Sequence, residues 1–330
     1  VWLTKILLLL GSKVFGYSDA DKYNNIKKFD VNNVNFRQYF GNILNLKQLH
    51  KIIMKEKPSI IFHLAAQSLV FKSYLNPLQT FEVNFNGTLN ILNEVKNNNF
   101  IKSAIFVTSD KCYKPVSNIK YFDENSQLGG IDPYSASKSC AEILINSYIQ
   151  SYKNMPISTV RAGNVIGGGD WNEKRLIPDI IRSIYIHKKN FFYLRNKQAV
   201  RPWQHVLEPL IGYILLSEKI YKYKDDIYRD AWNFGPSKKY HKNVKYIIDY
   251  SNKLFNKKLK IKNYKYKFKE ENFIFLNSKK SRKYLNWKCI LGLDKSLEMT
   301  IYWYQEFYNN KKGISNFTNS QIEKYLDLIN

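Results

Sequence analysis

Three apolar runs constrain this chain more than any other feature. "PSIIFHLAA", "KSAIFVTSDKCY" and "PISTVRAGNVIGGG" each read as a short strand of the type buried on both faces. Two stretches of helical character separate them, "NFNGTLNILNEVKNN" and the segment that opens at "DPYSASKSCAE". Strands alternating with helices at this spacing predict an α/β fold, a parallel sheet with helices on both faces. Ligands of such sheets sit outside the carboxyl ends of the strands, where His63, Ser109, Asp110 and Asn164 fall.

Upstream, "VWLTKILLLLG" reads as the end of an apolar helix stopped at Gly11, followed by a strand over Lys13–Tyr17. A polar stretch then runs to about Gln38, and a helix is expected around Leu46–Lys55. Beyond about residue 170 the alternation weakens: "RLIPDIIRSIYIHKK" looks helical after its proline and "FFYLRNKQAVRPWQHV" extended. Residues 205–220 look helical again and "DAWNFGP" a short strand. From residue 242 helices alternate with Lys-rich extended segments, and the stretch after Gly313 reads as a polar, loosely attached tail. No internal repeat is found.

At 330 residues, 44% hydrophobic and 15% aromatic, the chain has the composition of a folded protein with one large core or two smaller ones. No apolar run reaches the roughly 18 to 20 residues of a membrane helix, so no membrane partner is expected. Cys112, Cys140 and Cys289 lie far apart, make no metal spacing, and suggest a reducing compartment, the cytoplasm. The net charge of +25 raises the question of a nucleic-acid or membrane-surface partner. The lysines, however, are spread along the whole chain among Asn, Ile and Tyr. That pattern is compositional drift rather than a built patch, so no specific nucleic-acid partner is expected, although an anionic substrate gains from the field either way.

Tyr134 and Lys138 stand four residues apart, a spacing that recurs at Tyr23/Lys27, Tyr185/Lys189, Tyr193/Lys197, Tyr284/Lys288 and Tyr308/Lys312. Spacing alone therefore selects nothing. Context does. Asp132-Pro133 is a strong helix start, with Asp as cap and Pro at the first position, which places Tyr134 and Lys138 one turn apart on one face. They follow a strand whose tip carries "TSD"; none of the other five pairs follows a buried strand tipped by both hydroxyl and carboxyl groups. A lysine ammonium near a phenol stabilises phenolate and makes a base usable near neutral pH. The bland alternative is an ordinary surface pair.

"TSDKCY", "DPYSASKSCAE", "RAGNVIGGGDW", "RLIPD" and "RPWQHVLEPL" together resemble the extended short-chain dehydrogenase/reductase superfamily. Within it, "SDKCY", "GGGDW" and "RPWQHV" look most like the 4,6-dehydratases that act on CDP-glucose. The resemblance runs from about residue 1 to Trp303 and Tyr304, dense between 58 and 215 and thin in the Lys-rich C-terminal part. It implies a Rossmann-like, doubly wound parallel sheet with a smaller mixed substrate domain. The NAD-binding part would span 1–170, with 205–240 returning to it; the sugar-nucleotide part would comprise 171–204 and 241–312, ahead of a tail at 313–330.

The resemblance also implies roles. Tyr134 would take the proton of the sugar 4-hydroxyl while hydride leaves C4 for NAD, and Lys138 would lower its pKa and bind the nicotinamide ribose. Ser109 would hydrogen-bond the 4-hydroxyl. Asp110 would protonate the departing 6-hydroxyl, and Lys111, where a related class has glutamate, would be the C5 base, unless it only binds an anionic group. Leu64, Ala65 and Ala66 match the strand end beside the cofactor; Asn42 and Ile43 match the "GDI" motif that touches the adenine, with Asn in place of Asp. Asn164 and the amides of "GNVIGGGDW" would meet the sugar-nucleotide diphosphate, and Arg201 would clamp it. Trp171, Trp203 and His205 fall near the expected nucleotide pocket, with packing an equal alternative for the tryptophans. His63, Asn84 and Thr88 read as architectural. A homodimer through the helix of Tyr134 and Lys138 and its neighbour is implied as well.

One departure is large. The superfamily opens with a strand and a Gly-x-x-Gly-x-x-Gly turn that carries the cofactor pyrophosphate; here "VWLTKILLLLG" aligns with the helix after that turn. The expectation is a fragment or incomplete gene product that lacks the central strand. Other readings remain open at this stage: an epimerase or dehydratase of another nucleotide sugar, an inactive remnant, and a basic polyanion-binding protein.

Overall fold

A computed structural model describes residues 1–19, 31, 33–116, 121–189, 191–194, 196–257, 259–263 and 275–329. Helix α1 (Trp2–Leu9) ends at Gly11, whose φ of 81° is one that a side chain rarely adopts. Strands β1 (Val14–Ser18) and β2 (Phe36–Phe40) then pair in parallel. Strand β2 falls within a stretch read from the sequence as polar. Its "FRQYF" pattern is broken by Arg37 and Gln38, and pairing with β1 supplies what the pattern does not. Asn45 caps helix α2 (Leu46–Glu56) by accepting from the Gln48 amide.

The main sheet is parallel, in the order β11-β6-β4-β3. It comprises β3 (Ile60–His63), β4 (Ser103–Val107), β6 (Ile157–Ala162) and β11 (Ala231–Phe234). Between β3 and β4 run helices α3 (Val70–Leu75), α4 (Pro77–Phe81), a π-turn over Glu82–Asn86, and α5 (Gly87–Asn97). Helix α6 (Pro133–Ser151) connects β4 to β6, with the two-residue strand β5 (Tyr121–Phe122) before it. Strand β3 was expected to be buried on both faces. It pairs only with β4 among the described residues, and Ile60 is 37% exposed. Likewise β1 pairs only with β2. Tyr17 of β1 and Ile61 of β3 nevertheless pack on one cluster, formed by Ile43, Leu49, Ile53, Ile91, Leu92 and Ala104.

The second half builds short pairings over the carboxyl side of the main sheet. Strands β7 (Val165–Ile166) and β10 (Gln204–His205) are parallel. After α7 (Leu176–Ile181), β8 (Phe191–Leu194) pairs with β13 (Lys260–Asn263), and β9 (Val200–Arg201) with β12 (Lys242–Asn243). Helix α8 (Leu207–Lys222) leads into β11 of the main sheet, and α9 (Val244–Phe255) follows β12. Strand β14 (Phe275–Leu276) pairs with β5. Helices α10 (Lys279–Leu285), α11 (Leu293–Asn309) and α12 (Ile314–Asp327) complete the chain. The Lys-rich stretch between β13 and β14, residues 264–274, lies outside the described residues. No helix among those described is long and apolar enough to cross a membrane.

The stretch after Gly313 is no loose tail. Helix α12 buries Ile314, Thr318, Ile322 and Tyr325. Thr318 accepts from the Trp303 indole at 2.8 Å, and the Tyr325 hydroxyl donates to Glu208 at 2.7 Å. Its polar residues at 315 and 319 receive the ammonium of Lys5 on α1. The sequence looked polar because only one face of this helix is apolar. A single core accordingly runs from Trp2 and Ile6 through Ile105 and Trp232 to Ile322 and Tyr325. Ile322→Ala should lower the unfolding free energy by about 2–5 kcal/mol in a denaturant titration, the cost of a fully packed site; a loosely attached tail would change it by roughly 0.5 kcal/mol or less.

Candidate active site

Helix α6 starts as its sequence requires: the Asp132 carboxylate accepts from the Ser135 amide at 3.0 Å, with Pro133 in the first turn. Tyr134 and Lys138 lie one turn apart and are both buried, 8% and 6% exposed. The Lys138 ammonium donates to the carbonyl of Val107, the last residue of β4, at 3.1 Å. Burial lowers its pKa to about 8, although the Glu142 charge opposes that shift. Immediately past Val107, Ser109 and Asp110 are also buried. The Ser109 hydroxyl donates to Asp110 at 3.0 Å and lies in hydrogen-bonding reach of the Tyr134 phenol. The two strand-tip groups and the Tyr/Lys pair thus share one buried site.

The expected fall in the Tyr134 pKa is reversed in the chain itself. Burial pushes the phenol up to about 12; Ser109 and the more distant Arg175 act to lower it, while Asp110 and Asp132 raise it further. The Asp110 carboxyl is raised as well, by burial, against the pull of Lys111, Ser109 and Arg201. Both shifts run toward the protonated form, the direction that would favour an acid at 110 and that a base at 134 would need further positive charge to offset. Gly163 explains how Asp110 fits: a Cβ there would lie 2.1 Å from one of its carboxylate oxygens.

His63 is buried behind this site. Its Nε2 meets Thr88 Oγ1 at 3.1 Å, and the Thr88 hydroxyl donates onward to the Asn84 carbonyl, so His63 is the donor of the pair. Burial, with the Lys138 charge, lowers its pKa to about 3. Asn84 donates to Ser137 of α6 at 2.9 Å and accepts from the Gln67 amide at 2.8 Å. These three residues hold the β3 end, α5 and α6 together, the architectural role expected of them.

Other anticipated residues land in different surroundings. Leu64, Ala65 and Ala66 form the open strand end after β3, with Leu64 46% exposed. The Asn42 side chain accepts from the Leu44 amide at 2.9 Å, and Ile43 is buried in the core against Gly87. Asn164 adopts a φ of 47°, and its carbonyl accepts from Gln204 at 3.3 Å. The glycines after it serve packing: a Cβ at Gly168 would lie 2.0 Å from the Trp303 ring, and the Gly168 carbonyl accepts from the Trp2 indole at 2.8 Å. Trp171 packs among Trp303, Tyr304, Phe307 and Tyr308. Trp203 donates to the Lys242 carbonyl at 3.1 Å. His205 is fully buried, edge-on to Trp2 at 5.6 Å, and its Nε2 meets no partner among the described residues. His205 is thus enclosed by its neighbours, while the half-buried Trp171 packs on the aromatic rings of α11. Arg201 is half-buried on β9, near enough to act on Asp110.

Sequence reasoning passed over two contributors. Arg175 bridges Asp170 at 3.0 Å and Ser68 at 3.5 Å, and its charge reaches Tyr134. Only its position inside "RLIPD" hinted at it. Gly163 opens "GNVIGGGDW", but nothing in that motif signalled its contact with Asp110.

A parallel Rossmann-like sheet with a Tyr/Lys pair on the helix after a hydroxyl- and acid-tipped strand is the arrangement that the resemblance to the extended short-chain dehydrogenase/reductase superfamily implies. The chain belongs to the GDP-mannose 4,6 dehydratase family, whose model matches residues 1–300. It is 36% identical over 319 residues to the CDP-glucose 4,6-dehydratase of Salmonella typhimurium, covering 92% of this chain and 87% of that protein. The fold is that of dTDP-glucose 4,6-dehydratase from Bacillus anthracis, solved with NAD (TM-score 0.77, 21% identity, 95% of this chain and 94% of the other). UDP-glucose 4-epimerase from Thermotoga maritima is similar too, at a TM-score of 0.80 and 18% identity over 92% and 94% of the two chains.

The two buried imidazoles set an acid limit. His205 is lowered to about 3 by burial, like His63, against an ordinary value of 6.5. In that window the unfolded chain binds protons that the folded chain refuses, so stability rises with pH between about 3 and 6.5 and is lost as the pH falls through it. Denaturant titrations at pH 7, 5 and 4 should show this decline, and His205→Leu should make it shallower.

Proposed function

We propose that this protein is an NAD-dependent sugar-nucleotide 4,6-dehydratase that converts CDP-glucose to CDP-4-dehydro-6-deoxyglucose. One observation carries the reading: a buried carboxyl, Asp110, whose pKa burial raises, stands beside Ser109 and Tyr134, in a chain whose 36%-identical relative is a CDP-glucose 4,6-dehydratase. An epimerase has no use for such an acid. Dehydration needs one, because the 6-hydroxyl leaves as water.

The residues present fit the nicotinamide end of NAD. Lys138 is buried with one hydrogen bond, to Val107, and an ammonium has three donors to give. Leu64, Ala65 and Ala66 lie along the strand end next to it. NAD, held by these residues, would supply the hydride chemistry at C4 and C6. Tyr134 takes the 4-hydroxyl proton while Ser109 holds the same oxygen. The resulting ketone acidifies the C5 hydrogen, which Lys111 removes as Asp110 gives its proton to the departing 6-hydroxyl. The C5–H and C6–O bonds break, a C5=C6 double bond forms, and water leaves. Addition of hydride at C6 and a proton at C5 would complete the 4-keto-6-deoxy sugar. Arg201 and Arg175, the two guanidinium groups acting on this site, suit the substrate diphosphate.

We also place the enzyme in the cytoplasm, where its three free cysteines stay reduced, and as a homodimer. Leu75, Leu78 and Ile143 support the dimer: they expose apolar side chains on α3, α4 and α6, at 67%, 70% and 59%. Ile143→Glu should shift the mass measured by light scattering from dimer to monomer.

The activity test is mass spectrometry of CDP-glucose incubated with NAD and the chain, beside a version extended by a strand and a Gly-x-x-Gly-x-x-Gly turn. A nucleotide sugar lighter by one water supports the reading; intact CDP-glucose from both folded proteins overturns it. Asp110→Asn should slow water loss by about 10²- to 10⁴-fold while C4 oxidation persists, and Tyr134→Phe should suppress both.

A further inference from the structure

The segment that carries Ser109, Asp110 and Lys111 is gripped on both sides by one buried ion pair. Glu142 lies on α6 one turn beyond Lys138 and two beyond Tyr134. Its carboxylate accepts from Arg161 Nε at 2.9 Å and Nη2 at 2.6 Å, and from Thr159 Oγ1 at 2.8 Å. The Thr108 hydroxyl, one residue before Ser109, also donates to it. On the far side, Arg161 Nη1 donates at 2.6 Å to the hydroxyl of Tyr113, two residues after Lys111. The Tyr113 hydroxyl donates in turn to Asn233 of β11 at 2.8 Å.

The same helix adds two holds, Lys138 on the Val107 carbonyl at 3.1 Å and Ser139 on the Cys112 carbonyl at 2.8 Å. Within residues 109–111 the bonds are local: Ser109 to Asp110, and the Lys111 amide to Ser109. Where these three side chains point is therefore decided by the residues flanking them. Burial disfavours both charges of the pair. It pushes the Glu142 pKa up, but Arg161, Thr108 and Thr159 overcome that and leave it lowered; Glu142 likewise keeps Arg161 firmly charged. An ion pair this deeply buried is a poor source of stability, since well-packed apolar residues commonly serve as well or better. Its worth lies in geometry: directed hydrogen bonds that apolar packing does not reproduce.

We propose that Glu142 and Arg161, through Thr108 and Tyr113, are positioning residues that clamp the 109–111 segment against Tyr134. This rests on the dehydratase reading for its catalytic consequence, though not for its structural one.

The test leaves the ion pair intact and cuts its two arms, with the double variant Thr108→Val/Tyr113→Phe in the otherwise unchanged chain. Hydrogen exchange at the amides of 109–113, followed by mass spectrometry, should speed up roughly tenfold or more beyond any change in exchange elsewhere and in Tm, as expected for a local opening. In NAD and CDP-glucose assays kcat for water loss should fall about 10²-fold, the cost of a misplacement near 1 Å, with KM little changed. Thr108→Ser, which keeps the hydroxyl, should behave as wild type. The clamp is overturned if exchange at 109–113 matches wild type, or if it rises only in step with a global loss of stability. If the wild-type protein forms no dehydrated product, the dehydratase reading fails instead, and the exchange experiment still decides the clamp.

Discussion

Helix α6 carries Ser135, Ser137, Lys138, Ser139 and Glu142 into the protein interior, where each unpaired polar group would cost about 1–3 kcal/mol. Every one finds a partner. Ser135 and Ser137 bond to Asp132 and the Tyr134 carbonyl, Ser139 to Cys112, Lys138 to Val107, and Glu142 to Arg161. The requirement leaves the helix one rotation and one register against β4 and β6. In that register Tyr134 faces Ser109. Much of the remaining architecture serves the same placement: Asn84 and Thr88 hold α5 and the β3 end against α6, and Asn233 anchors Tyr113 from β11.

The later part of the chain is tied into that frame by its own buried acid. Glu208, near the start of α8, accepts from the amides of Ile290 and Leu291 at 2.9 and 2.6 Å and from Tyr325 at 2.7 Å. Its backbone carbonyl takes the Trp287 indole at 2.9 Å. Helices α8, α10, α11 and α12 are thereby drawn onto one core with α1. The glycine loop after β6 belongs to this seam as well. Its close approach to Trp303 and Val206 leaves no room for a Cβ at Gly167 or Gly168.

The strand–helix alternation, the start of α6 and the Tyr134/Ser109/Asp110 grouping were legible in the sequence because each follows from a local rule: apolar run length, a capping Asp with Pro, a helical spacing. Strand β2 and helix α12 were not. The first has a weak pattern that only its partner stabilises, and the second hides a narrow apolar face in polar composition. Trp171 and His205 sit in motifs that suggested a pocket, yet their rings fill the space between elements. Nothing local separates an aromatic that binds from one that packs.

The sequence by itself determined the fold class, the superfamily resemblance and the candidate reactive side chains, because periodicity, caps and long ordered motifs are properties of neighbouring residues. Tertiary structure alone decided their electrostatics and exact placement. Burial raised Tyr134 to about 12 where a nearby lysine had suggested a fall, and lowered Lys138 to about 8. It brought Gly163 beneath Asp110 and joined Glu142 to Arg161, residues 19 positions apart. Desolvation and long-range pairing depend on what surrounds a group in space, and a linear chain does not contain that information in any local pattern.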